Sequence, residues 1–323
     1  MSAPSTHQRT ENKAITPSTY SLWFSDGNVV LQAGNVRFRV HWGVLAQNSS
    51  VFRDMQGLPR PTDQPSVKEF ECPIIKLSDD PVDVKYLLNA LYDPTFLAQK
   101  TLPFAAVSAF IRLGRKYGLK NILNLAVARV TAVCPATLQA HDALLNAGSW
   151  ETIEWYNGIE FDMVTLLSEN KISSALPCAY YRAVRRHSQK ELFYGINKGD
   201  GTRVSLSQSD LRSCAIGQHT LFHKQFEPGY TLGWARKWEF TDCTSSAVCR
   251  SSRKKILKFC TEYYGIWALV GPKWFELKPS DVEFCVACGD HAEKSLAAGK
   301  KKIWKELPEI FDLPPWSELK NGL

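Results

Sequence analysis

Four cysteines in the last third of the chain have the types and spacing to hold a metal ion. Cys285 and Cys288 are separated by two residues, so their thiolates can grip one tetrahedral ion from a tight turn, and Gly289 follows directly. Cys243-x5-Cys249 offers a second pair, from a Thr/Ser-rich stretch free of bulky residues that reads as a loop. The four are candidate ligands for structural Zn2+, with Cys214 and His291 in reserve. Four thiolates fill every position of a tetrahedral ion and leave none for water, so such a zinc is a staple and not a hydrolytic centre. The competing reading is a set of buried thiols in a small aromatic domain.

Other chemistry is sparse. His219 and His223 fall four apart on one helical face and could ligate metal, but no glutamate sits beside them as in HExxH. They read as surface or packing histidines, and Cys72, Cys134 and Cys178 as isolated packing thiols. There is no GxSxG, no HExxH and no phosphate-cradling glycine loop, and no pair of carboxylates stands out. No catalytic residue is named, and the chain is read as non-enzymatic. Arg250, Arg253, Lys254, Lys255 and Lys258 make one basic face and Lys300 to Lys302 another, with Phe259, Tyr263 and Tyr264 interleaved. A solvated helix face is the reading taken, because the net charge of +7 is spread out: residues 1–135 carry 15 Lys+Arg against 10 Asp+Glu, the rest 24 against 22. The alternative is a nuclear, DNA-associated regulator using these basic C-terminal helices.

The elements that must position these groups occupy 323 residues, enough for two domains, with 44% hydrophobic and 22% charged content. Met1 to Pro17 is polar and reads as a disordered tail with no signal-peptide core, and no later run reaches about 18 apolar residues. A cytoplasmic or nuclear protein with no membrane partner is expected, its nine cysteines kept as thiols or metal ligands.

Residues Asp26 to Tyr92 organise the first part. Tyr20 to Phe24 is an edge strand or a helical entry. Val29 to Ala33 is a strand, Gly34-Asn35 a two-residue turn, and Val36, Phe38 and Val40 alternate with Arg37, Arg39 and His41 on the return. Short helices follow at Gly43 to Gln47 and Ser50 to Met55, then a loop with Pro59, Pro61, Pro65 and Pro73. A strand at Ile74 to Leu77 leads to a helix capped by Asp80 with Pro81 at its first position. Pro103 to Tyr117 is helical. Leu119, Ile122, Leu123, Ala126, Val127, Val130 and Val133 then form a continuous core-facing stripe on the next helix.

The frame FxxHxxxLxxxSxxF (Phe38, His41, Leu45, Ser49, Phe52) and the run DDPVDVKYLLNALYD resemble a BTB/POZ domain. The wording is similar to the BTB proteins of mushroom-forming (basidiomycete) fungi. The resemblance implies an α+β chain: a BTB/POZ fold, a small sheet flanked by helices, followed by a mainly helical, Cys/Trp-rich C-terminal domain. The expected boundaries are a tail at 1–17, the BTB/POZ domain at 18–135, a helical linker region at 136–200 and the C-terminal domain at 201–323. Within the linker, Ala175 to Arg186 resembles a helix-turn-helix that follows the BTB domain in the fungal proteins. Further on, helices are read from Ser207 to Cys214, Ser251 to Tyr264 and Asp281 to Lys302, with a terminal segment from Lys305 to Leu319.

BTB domains are protein-interaction modules and commonly homodimers. The resemblance places the dimer interface at Tyr20 to Phe24 and Trp42 to Met55, naming Leu22, Trp23, Phe24, Trp42, Leu45 and Phe52. It implies an unnamed client protein and, for some relatives, a cullin scaffold, the domain then acting as a ubiquitin-ligase adaptor through the helix Asp80 to Asp93 and those after it. Many relatives carry Lys or Arg after the frame's histidine, where it forms a charged pocket with an aspartate. Here Asp26 remains but that position is Trp42.

Overall fold

The computed structural model describes residues 18–56, 72–147, 152–236, 241–262, 265–270 and 282–322. The N-terminal tail, Pro59, Pro61, Pro65, Trp238, Trp274, Tyr263 and Tyr264 lie outside them. The chain forms two compact units, Met1–Gln99 with Ala105–Ala126, and Lys100–Phe104 with Val127–Leu323.

In the first unit, strands β1 (Ser18–Trp23), β2 (Val29–Ala33), β3 (Val36–Val40) and β4 (Ile74–Leu77) form one sheet in the order β1-β3-β2-β4. β2 and β3 are the expected hairpin, with Val29 opposite Val40 and Ala33 opposite Val36. Its turn uses Gly34 at a φ of +52°, a conformation glycine reaches without steric cost. Val36, Phe38 and Val40 are buried while Arg37 and Arg39 are half-buried, the alternation a one-sided core imposes. β1 runs parallel to β3 and β4 parallel to β2, so β1 is an edge strand and the helical entry is ruled out.

Helices α1 (Trp42–Asn48) and α2 (Ser50–Met55) meet at Ser49. This buried hydroxyl accepts the Phe52 N–H at 3.0 Å and donates to the Tyr117 carbonyl at 2.5 Å, which explains a serine in the frame. Helix α3 (Pro81–Tyr92) starts as expected, the Asp80 carboxylate accepting the Val82 N–H at 2.7 Å. A short α4 (Pro94–Ala98) follows, and then α5 (Phe104–Lys116) and α6 (Lys120–Val133). Arg112 grips Asp83 through Nε and Nη2, and Lys116 reaches Asp79 at 2.7 Å. Every residue of the predicted α6 stripe is buried, from Leu119 to Val133. Gly114 lets α6 close in, since a Cβ there would stand 3.1 Å from the Leu123 Cβ.

The second unit is mostly helical. It holds α7 (Leu138–Ala147), α8 (Ile159–Glu169), α9 (Leu176–Arg186), α10 (Gln189–Tyr194), a two-stranded hairpin β5 (Ile196–Asn197) and β6 (Arg203–Val204), then α11 (Gln208–Lys224), α12 (Gly233–Arg236), α13 (Ser246–Glu262) and α14 (Val286–Ile310). Residues 136–200 are part of this unit: α8 packs on α9, and α9 on α11 and α14. Phe226, Leu232, Trp234, Ile256, Cys260 and Ala292 form a core that joins α12, α13 and α14.

Two helices differ from the sequence reading. α13 starts at Ser246 and not Ser251, which moves Cys249 from the supposed loop onto the helix. α14 runs from Val286 to Ile310 and so absorbs the start of the supposed separate terminal segment. Pro308 lies inside this helix and cannot donate to the Trp304 carbonyl four residues back. The Trp316 indole N–H supplies that bond instead, at 2.8 Å, and the two tryptophan rings stack at 5.4 Å. Among the described residues no single helix is long and apolar enough to cross a membrane.

Candidate metal centre and interaction surface

The four cysteine sulfurs of Cys243, Cys249, Cys285 and Cys288 lie within 4.8 Å of one another. Zinc–sulfur bonds of about 2.3 Å in a tetrahedron give sulfur–sulfur edges of about 3.8 Å, so one ion closes the cluster with small inward shifts. The two pairs come from two helix starts. Cys249 sits in the first turn of α13, its N–H bonded to the Ser245 carbonyl at 3.0 Å, with Cys243 just ahead of the helix. Cys285 is the N-cap of α14 and Cys288 lies in its first turn. Both helix dipoles therefore point their positive ends at the sulfurs, which favours thiolate.

The sulfurs also have donors. The Cys285 N–H points at the Cys249 sulfur at 3.3 Å. Hydrogen bonds from the Thr244 hydroxyl, the Thr244 N–H and the Cys288 N–H bring the Cys285 thiol down to about 5. Burial and shared protons from the neighbouring sulfurs push Cys288 up, and burial raises Cys249. A divalent cation bound among them would favour the thiolate form of all four. The donor set, spacing and N–H···S bonds all fit such an ion. Ser252 holds the frame behind it, donating to the Glu283 carbonyl at 2.7 Å and accepting the Glu283 N–H at 2.9 Å.

The reserve ligands stand elsewhere. Cys214 is buried in α11 away from the cluster, its thiol pushed up by burial and by Asp210. His291 lines a cavity of about 280 Å³ with Tyr230 and Trp234. His219 and His223 are both exposed on α11, ring centroids 4.5 Å apart. Cys134 and Cys178 are not isolated: they are buried and hydrogen-bonded to each other. Sequence reasoning missed Thr244 and Ser252, and the only signal was the Ser/Thr density around Cys243 and Cys249.

In the first unit His41 of the frame and Phe24 meet at Tyr92. The His41 N–H donates to the Tyr92 hydroxyl at 2.8 Å, Phe24 stacks on the same ring at 4.6 Å, and the His41 Nε2 faces Asp26 at 3.2 Å. Asp26 thus has His41 as its partner, and that hydrogen bond holds its carboxyl below the usual range. Of the residues named for the dimer face, Leu22, Leu45 and Phe52 are 7%, 1% and 1% exposed and belong to the unit's own core. Trp23, Phe24 and Trp42 are half-buried.

Of the basic residues, Lys300 pairs with Asp142 at 2.7 Å and the Lys302 ammonium sits 3.9 Å over the Tyr230 ring. Phe259 packs against Trp267 at 5.6 Å and is no stacking platform.

Residues 24–131 match the family model of the BTB/POZ domain. No curated protein matches the chain. The chain therefore carries a BTB/POZ domain, a protein-interaction fold, followed by a mostly helical region.

Proposed function

We propose that this chain is a protein-interaction adaptor that pairs with a second copy through its BTB/POZ domain and presents the zinc-stapled second unit to a client protein. The observation that carries it is the BTB/POZ match across a unit whose sheet ends in an edge strand. β1 can accept a strand from another copy, and Trp23, Phe24 and Trp42 supply half-buried aromatic surface beside it. Zinc at Cys243, Cys249, Cys285 and Cys288 has a structural role, tying α13 to α14. A reducing compartment, cytoplasm or nucleus, is the setting this thiol chemistry requires. Within the same reading the adaptor engages a cullin scaffold through α3, where Val82 is 48% exposed.

Sedimentation equilibrium of the full chain tests the pairing. Twice the chain mass is expected, with Trp23→Asp returning a folded monomer by circular dichroism. A single-chain mass at every concentration overturns it. Calorimetric titration with the N-terminal domain of a cullin tests the ligase role: binding on the order of micromolar or tighter supports it, and no heat removes it while leaving the pairing intact.

A further inference from the structure

Helix α13 turns Cys249, Ser252, Ile256 and Cys260 into the unit. The opposite arc exposes Arg250, Ser251, Lys254, Lys255 and Lys258. Arg250, Lys254 and Lys258 recur every fourth residue, so they follow one line that climbs about 6 Å per step. From Arg250 to Lys258 the helix has no acidic residue. The first one on it, Glu262, stands 3.6 Å from the Lys258 ammonium at the far end. Arg253 flanks the line half-buried, and burial followed by the Arg250 charge disfavours its cation.

We infer that this face of α13 docks the phosphate backbone of nucleic acid. Like charges concentrated on one turn after another repel each other, and a polyanion relieves that repulsion. The rest of the surface decides which polyanion. Exposed serines at Ser245, Ser246 and Ser251 lie on the same helix start and arc, and serine joins lysine and arginine as a phosphate donor. The exposed large apolar residue of α13, Val248, lies on its first turn and off the stripe. A protein partner is held by buried aromatic or aliphatic anchors and a lipid surface by an inserted apolar face; the stripe offers neither. On α14, Lys300 pairs with Asp142 and Lys302 lies over the Tyr230 ring. The contact is to backbone and not to bases, and it does not depend on self-association.

The test is fluorescence anisotropy of a short, labelled, mixed-sequence duplex with the full chain across a salt series. Three phosphate contacts give a slope of log affinity against log salt of about −3. Arg250→Glu with Lys254→Glu is expected to weaken binding at least about tenfold and to flatten the slope by about 2. Both residues are exposed, and circular dichroism checks that the variant folds. Lys301→Glu with Lys305→Glu on α14 changes net charge equally and is expected to leave affinity nearly unchanged. No duplex binding by the native chain at low salt overturns the inference, and so do equal losses in the two double variants. Binding to phosphatidylserine vesicles without binding to the duplex overturns it too, and assigns the face to lipid.

Discussion

The backbone N–H of Cys285 donates to the sulfur of Cys249 at 3.3 Å, so the cap of α14 is tied to the first turn of α13. Both helices also enter the core of Phe226, Trp234, Ile256 and Ala292. A metal ion at this cluster would therefore couple its binding to the packing of the second unit. Chelation of the ion, or Cys249→Ser, is expected to cost roughly 3 kcal/mol or more of that unit's stability. Thermal melting followed by tryptophan near-UV circular dichroism measures it. An unchanged melt after verified metal removal contradicts the staple.

The Ser252 hydroxyl both gives and takes a bond with the Glu283 backbone, two residues before Cys285. Ser252→Ala removes both of these part-buried bonds, at a cost of about 0.5–1.5 kcal/mol. Urea unfolding reads the loss, and faster zinc transfer to a colorimetric chelator reads the loosened frame. Native stability with native transfer rate contradicts the clasp.

His141 packs between the Tyr181 and Trp304 rings, at 5.9 and 5.2 Å. Burial holds its ring at about 4 against an ordinary 6.5, Asp142 opposing and the Arg182 and Lys300 charges adding to the shift. The unfolded chain therefore binds this proton first as pH falls. Its contribution is complete above pH 6.5 and is lost as pH drops from 6.5 through about 4. The loss reaches about 3 kcal/mol. His141→Phe is expected to flatten the stability profile over that window in urea titrations; an equally steep profile contradicts the assignment.

Leu123 stands on the buried stripe of α6 against Gly114 of α5. Leu123→Asp places a charge there without a partner and is expected to cost about 3 kcal/mol or more. Thermal melting of the full chain is the check, and an unchanged melt shows that the stripe is not core.

Much of the first unit was legible because its signals are local. The Gly34-Asn35 turn, the Val36–Val40 alternation, the Asp80-Pro81 start of α3 and the stripe of α6 each follow from a spacing rule within a few residues. The four-cysteine cluster was legible too, although the spacing of Cys243 and Cys249 is loose. Their setting was not. The Thr/Ser run before Cys249 imitates a loop, and only the Cys249 N–H on the Ser245 carbonyl shows a helix already under way. Pro308 imitates a helix end because the bond that rescues it comes from Trp316, outside the helix. Leu45 and Phe52 were assigned to a dimer face by resemblance, yet the unit's own core takes them. Tertiary partners decide the last two, and spacing does not encode them.

Native mass spectrometry of the full chain, purified under reducing conditions, tests the adaptor reading most directly. It weighs chain copies and bound metal in one spectrum. A dimer carrying one zinc ion per chain is the predicted species. A monomer free of metal at every protein concentration contradicts the account.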